Sequence, residues 1–323
     1  MTRIGIIGTG RIARRFVPEC AAVAEVKISA VYNPHEGSAE GFVSKYLAVN
    51  TGYEAIPVSD INRFWSLTDA VYIASPHETH FPYIKAALEA GKHVLCEKPM
   101  TLKAKEAEEA FLIAKEKNLV LMEAIKTAYC PGYQKLIYTA KSGVIGEIRY
   151  VDACFTKLEN PESRELTDLE YGGSFTELGS YVLLPAADFL GMEPVSSDFD
   201  SIRNVKRLDI FTKVNLRYED SMATLTCGLG VKSEGRLLIG GTKGYILAEA
   251  PWWKTRHFEV RFEDAAKKIS YDEIFEGDGL RYEISEFASK INAANENRRH
   301  TELNRSIFFA NMMEQFLKMR PAA

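Results

Sequence analysis

From residue 3 to about 124, short β-branched runs alternate with longer stretches of helical period, and no other feature of the chain narrows its fold as much. The candidate strands cover residues 3–7, 26–32, 70–74, 92–96 and 120–124. The segments between them include 81–90, ended by Gly91, and 102–117, for which Thr101 is the expected N-cap. Parallel neighbours need crossovers of this length, so the pattern predicts α/β architecture with a doubly wound parallel sheet. After about residue 125 the spacing shortens. Runs at 148–156, 210–217, 223–229, 236–239, 245–248 and 258–262 follow one another across turn-sized gaps, which predicts an open, mostly antiparallel sheet. Helical periods at 175–190, 280–294 and 302–318 complete an α+β unit with helices on one sheet face. A chain of 323 residues exceeds the usual span of one domain, and the change of pattern puts the expected boundary between 1–124 and 125–323.

Gly8-Thr9-Gly10-Arg11-Ile12-Ala13 sits directly after the first strand and opens a helix, the context in which a G-x-G-x-x-G/A match carries weight. Gly8 permits the tight turn, Gly10 lets backbone approach a pyrophosphate, and Ala13 keeps the helix close to the sheet. The expected ligand is therefore a dinucleotide. At the end of the second strand, where a carboxylate normally accepts hydrogen bonds from the adenosine ribose, stands Asn33. An amide does not repel a 2′-phosphate as a carboxylate would, which favours NADP over NAD, although no Arg stands beside Asn33 to attract that phosphate unless Arg11 or His35 reaches across. Lys98 follows the fifth strand, on the side of the sheet where ligands bind, and Pro99 restricts its backbone.

Several function classes are disfavoured. The formal charge of -4 is near balance, and no dense Lys/Arg run with interleaved aromatics is present, so nucleic acid is not an expected partner. No stretch approaches the roughly 18 apolar residues of a membrane span, and the first apolar run is too short for a secretory signal. A cytoplasmic protein with no membrane partner is expected. Cys20, Cys96, Cys130, Cys154 and Cys227 are odd in number and contain no CxxC pair, which suits a reducing compartment and small buried hydrophobes. His77 and His80 stand three apart without a third ligand nearby, so no metal is expected.

Four segments resemble the glucose-fructose oxidoreductase, inositol dehydrogenase and rhizopine-catabolism (Gfo/Idh/MocA) oxidoreductases, over nearly the whole chain. They are the glycine turn, Ala74 to His80, Ala86 to Pro99 with its Glu97-Lys98-Pro99 end, and Gly172 to Tyr181; Met122-Glu123-Ala124 adds to them. The resemblance implies cofactor contacts at Gly8, Thr9, Gly10, Arg11, Ile12, Asn33, Ser75, Pro76, His80, Glu97 and Lys98. It implies that Lys98 touches both substrate and nicotinamide. Glu177 and Tyr181 are four apart and share a helix face; many members carry Asp and His there, and Tyr looks like the dihydrodiol and xylose dehydrogenase branch. Tyr181 is then the expected proton carrier, with Lys98 and Glu177 beside it. A phenol is a poor base near neutral pH, and a lysine cation about 4 Å away contributes on the order of 4 kcal/mol toward its ionised form at a dielectric near 20.

The sequence departs from the branch at His77, often Asn in relatives, and at Lys126 and Ala128, often Trp and Arg, so a different substrate pocket is expected. Lys157, Tyr129 and Asp168 are further candidates by position. A sugar, polyol or dihydrodiol-like substrate is implied, together with a homodimer or homotetramer formed through the second sheet. Trp252 and Trp253 read equally as part of that surface or as packing. Two other classes stay open: a non-catalytic dinucleotide sensor, and a glycosidase that uses NAD without net redox change.

Overall fold

The computed structural model describes residues 1–47, 54–293 and 301–320, and divides into two compact units, Met1–Lys126 with Glu276–Ala310 and Thr127–Phe275 with Asn311–Ala323.

The first unit holds strands β1 (Thr2–Ile7), β2 (Val26–Tyr32), β3 (Ile56–Val58), β4 (Ala70–Ile73), β5 (His93–Glu97) and β6 (Leu121–Ala124). All pair in parallel, in the order β3-β2-β1-β4-β5-β6. Covered on both faces, β4 and β6 are buried at every position, which is why they read as continuous apolar runs. Helix α1 (Arg11–Ala21) lays Ala13, Phe16, Val17 and Cys20 on the sheet at helical spacing. The shorter helices α2 (Ser38–Phe42) and α3 (Ile61–Ser66) follow, then α4 (His80–Glu89) and α5 (Ala104–Glu116). Helix α5 starts later than expected: Lys103 occupies the cap position, while Thr101 spends its hydroxyl on the Lys103 carbonyl.

The second unit holds α6 (Pro131–Lys141), β7 (Ile148–Thr156), α7 (Arg164–Thr167), α8 (Ser174–Phe189), β8 (Ser196–Arg203), β9 (Asp209–Arg217), β10 (Met222–Gly228), β11 (Leu237–Gly241), β12 (Tyr245–Ala248), β13 (His257–Arg261) and β14 (Lys268–Asp272). Its sheet runs β14-β13-β12-β11-β7-β10-β9-β8, antiparallel except for the β7–β10 pair. Helix α8 packs on β7, β9 and β10. Trp252 belongs to this unit's core rather than to a surface, fully buried with its indole N–H donated to the Cys154 carbonyl at 2.8 Å.

The last helices are α9 (Leu280–Ile291) and α10 (Leu303–Lys318). Residue 294, the expected end of α9, lies outside the described residues. Instead of completing the second unit, α9 packs against α1 in the first, burying Leu280, Ile284, Phe287 and Ala288. The buried Glu19 carboxylate of α1 anchors the junction, accepting the Asp278 and Arg281 backbone N–H groups (3.2 and 3.1 Å) and the Arg281 guanidinium at 2.9 Å. A single cut near residue 124 therefore does not describe this chain; residues 276–310 return to the amino-terminal unit.

Candidate functional site

In the first sheet the strand order reverses between β1 and β4, and the crevice beyond the carboxyl ends of such strands is where α/β sheets take ligands. The glycine turn stands there. Gly8 has φ +102°, and a Cβ on it would lie 2.5 Å from the Ala74 carbonyl oxygen, so only glycine closes the turn. Gly10 is the N-cap of α1 and offers no side-chain acceptor, no acid stands in the first helical turn, and a Cβ built on it meets nothing within 4 Å. Backbone N–H groups at a helix start with open space before them fit a pyrophosphate. Asn33 is spent locally: its amide donates to the Thr9 hydroxyl at 2.9 Å and its carbonyl accepts the His35 N–H at 2.9 Å, fastening the turn after β2 to the glycine turn. Arg11 and His35 are exposed beside it.

Lys98 is half-buried at the end of β5 and joined to Pro99 by a cis peptide bond. The turn is held from three directions. The buried Glu123 carboxylate accepts the Met100 N–H at 3.0 Å and the Ser306 hydroxyl at 2.7 Å. His80, fully buried, places one ring nitrogen 2.9 Å from the Pro99 carbonyl oxygen and the other 3.0 Å from that of Ser75. Glu97 points inward, where its carboxylate accepts the Tyr72 hydroxyl at 2.6 Å. Tyr72 in turn stacks on Phe16, ring centroids 3.8 Å apart. Burial pushes the Glu97 carboxyl above its ordinary range, opposed by the charge of Lys98 and the Tyr72 hydrogen bond. It pushes Glu283 of α9 higher still, reinforced by Glu97 and opposed by Lys126; one Glu283 carboxyl oxygen is buried with no hydrogen-bond partner among the described residues. Lys126 is itself buried and donates to the Asp278 carbonyl at 2.5 Å.

In the second unit, α8 is buried along nearly its whole length except for Glu177, Tyr181, Asp188 and its last residue, and the first three fall on one face. Tyr181 meets the Phe155 ring edge-on at 5.1 Å, and Phe155 lies flat on half-buried Trp253, centroids 3.6 Å apart and planes within 6°. Tyr181 thus stands at one end of an aromatic wall. The start of α8 is fixed by Asp209, whose carboxylate accepts the Phe175 N–H at 2.7 Å, and by Arg320, which donates to Asp209 and Thr176 (both 3.1 Å) and to the Gly172 carbonyl. Gly173 between them has φ +110°, and a Cβ there would strike the Asp209 carboxylate. Of the further candidates, Lys157 pairs with Glu159 at 2.6 Å. Asp168 is a loop brace: its carboxylate accepts the Glu170 and Tyr171 N–H groups and pairs with Arg164, which together hold it below its ordinary range. Tyr129 is half-buried.

Each expected site residue thus falls within one of the two units: the glycine turn, Asn33, Ser75, Pro76, His80, Glu97 and Lys98 in the first, Glu177 and Tyr181 in the second. Sequence reasoning passed over Tyr72, Glu283, Ser306, Asp209 and Arg320. Glu123 lies in one of the segments that resemble the family, and a carboxylate inside an otherwise apolar strand is a signal in its own right, because such a group needs built partners.

Two family models match the chain: residues 2–125 match an oxidoreductase family with an NAD-binding Rossmann fold, and residues 133–247 match the GFO/IDH/MocA C-terminal domain. Among curated proteins, the dTDP-3,4-didehydro-2,6-dideoxy-alpha-D-glucose 3-reductase of Actinomadura kijaniata is 34% identical over 59% of this chain, and the match spans 57% of that protein's length. The scyllo-inositol 2-dehydrogenase (NADP(+)) IolU of Bacillus subtilis is 29% identical over 98% of this chain and 97% of its own. The trans-1,2-dihydrobenzene-1,2-diol dehydrogenase of Macaca fuscata fuscata is 28% identical over 87% and 85%. Among solved structures, the 3-ketoreductase KijD10 of Actinomadura kijaniata, in complex with NADP and TDP-benzene, superposes with a TM-score of 0.79 at 24% identity, over 97% of this chain and 96% of that one. That likeness establishes the fold.

Proposed function

Because the chain belongs to the GFO/IDH/MocA oxidoreductases, we infer that it transfers a hydride between NADP and a CH–OH carbon of a small ring substrate such as a sugar, polyol or dihydrodiol. The observation that carries this reading is the open, uncapped start of α1 at the reversal of strand order, with Lys98 at the end of β5 in the same sheet. When bound, the dinucleotide supplies the hydride acceptor or donor. The turn from Gly8 to Ile12 would take the pyrophosphate, Ser75 and Pro76 would line the path between its ends, and Asn33, Arg11 and His35 would face the adenosine ribose. Asn33 stands where a carboxylate would oppose a 2′-phosphate, which favours NADP. Lys98 hydrogen-bonds the substrate oxygen, Tyr181 gives or takes the hydroxyl proton, and Glu177 one turn earlier on α8 orients the ring.

The relatives act on substrates of different charge, and β7 helps to choose among them. Lys157 is paired with Glu159, and Lys232 donates to the Thr156 and Ser233 carbonyls. With these cations committed and an aromatic wall beside Tyr181, an uncharged ring fits better than a nucleotide diphosphate. Screening inositols, sugars, trans-dihydrodiols and dTDP-sugars with NADP and NAD separately tests this. Turnover is expected with NADP and an uncharged ring. Stoichiometric dinucleotide binding without turnover would replace the reading with that of a sensor, and sugar release without net absorbance change with that of a glycosidase.

Two further assignments belong to this reading. The five cysteines are buried and form no disulfide among the described residues, which suits a cytoplasmic enzyme, and among the described residues no helix is long and apolar enough to cross a membrane. The eight-stranded sheet, with Ile202 and Met222 exposed on it, is the surface for a homodimer or homotetramer. Light scattering on the eluting protein tests the assembly, and a monomer at all concentrations removes it.

A further inference from the structure

The two hydrogen-bond partners of His80 ask for more protons than a neutral ring carries. Its Nδ1 lies 2.9 Å from the Pro99 carbonyl oxygen and its Nε2 3.0 Å from the Ser75 carbonyl oxygen. A neutral imidazole has one N–H and one lone pair, so it donates to one carbonyl and turns its lone pair on the other; only the imidazolium donates to both. The two carbonyls belong to the turns after β4 and β5, both in the first unit and both assigned above to the dinucleotide. The ring is fully buried, so its link to a ligand runs through these turns.

We propose that His80 is a positioning residue that clamps the Ser75–Pro76 turn to the Lys98–Pro99 turn, and that a dinucleotide, by fixing both turns at the spacing they have here, draws a proton onto its imidazole. This rests on the reading of the first unit as a dinucleotide site. Without ligand, burial holds the ring below its ordinary range, and the two carbonyls pull the other way. The charged groups that face it are Lys98, which opposes the proton, and Glu78, which favours it; the His77 ring meets it edge-on at 5.5 Å. A ligand that keeps both carbonyls in place, and adds its phosphate charge, raises the ring's affinity for the proton. By linkage, dinucleotide affinity then increases as pH falls through the imidazole range.

Calorimetric titration of NADP near pH 6, in buffers of different ionisation enthalpy, measures the protons taken up on binding. Wild type is expected to take up more than His80→Gln, protons on the 2′-phosphate cancelling between the two, and the variant is expected to bind about tenfold more weakly. Should the variant fail to fold, 15N spectra of the wild-type ring decide alone: one protonated nitrogen without ligand and two in the complex are expected. A ring still singly protonated in the complex, or uptake equal in wild type and variant, overturns the inference while leaving the dinucleotide site intact. Failure of NADP to bind overturns both.

Discussion

Tyr181 projects from the one stripe of α8 that is only half-buried, and the proton transfer proposed for it predicts that its loss separates chemistry from binding. Tyr181→Phe is expected to lower turnover by about 100-fold or more while NADP affinity stays within about twofold, as read by steady-state rates and fluorescence titration. Lys98→Met is expected to lower turnover similarly; full turnover in either variant moves the proton or the substrate contact to another group. Glu283 offers a test that involves no substrate. Its folded carboxyl titrates well above its ordinary value of 4.5, so the folded state favours the proton. The stability this group contributes is full below pH 4.5 and is lost as pH rises through the raised value. Glu283→Gln resembles the protonated form, and is expected to stabilise the protein by about 2 kcal/mol at alkaline pH and little in acid, as read by urea denaturation at both.

Helix α8 depends on a turn that only glycine permits and on a buried ion pair at its start. Gly173→Ala is expected to cost about 2 kcal/mol or more through its left-handed backbone and the collision with Asp209. Arg320→Met, which leaves the Asp209 carboxylate buried without its cation, is expected to cost about 3 kcal/mol in the same denaturation assay. At the far edge of the second sheet, Lys268 and Arg261 hold Glu259 down to about 2. That depressed carboxylate contributes stability above its ordinary value of 4.5 that is lost as pH falls from there toward 2. Glu259→Gln should remove this acid limb, and high salt should flatten it in wild type, as followed by circular dichroism. The strands that sequence patterns reveal are the apolar ones, such as β1 and β4. Strand β8, Ser-Ser-Asp-Phe-Asp-Ser-Ile-Arg, lies at the sheet edge with alternate residues exposed and carries no run to recognise. The glycine turn and Lys98 were legible because each chemical need falls on consecutive residues. The grip of His80 was not, because its partners are backbone carbonyls, which every residue possesses.

For the molecule as a whole, the apolar face of α9 announces that something covers it but not what, so the return of residues 276–310 to the first unit is absent from local pattern. A fragment ending at Lys126 is expected to expose the α1 surface that α9 covers and to bind a hydrophobic dye. The same fragment with 276–310 joined by a flexible linker is expected to unfold cooperatively; a cooperative transition in the shorter piece would show that the return is dispensable. In a living cell this interrupted order becomes a matter of timing. At translation speeds of roughly 5–20 residues per second, the early half of the nascent chain waits on the order of ten seconds for its closing helix to leave the ribosome. During that interval the face of α1 that carries Glu19, which α9 covers in the folded chain, is a surface that a chaperone would have to shield.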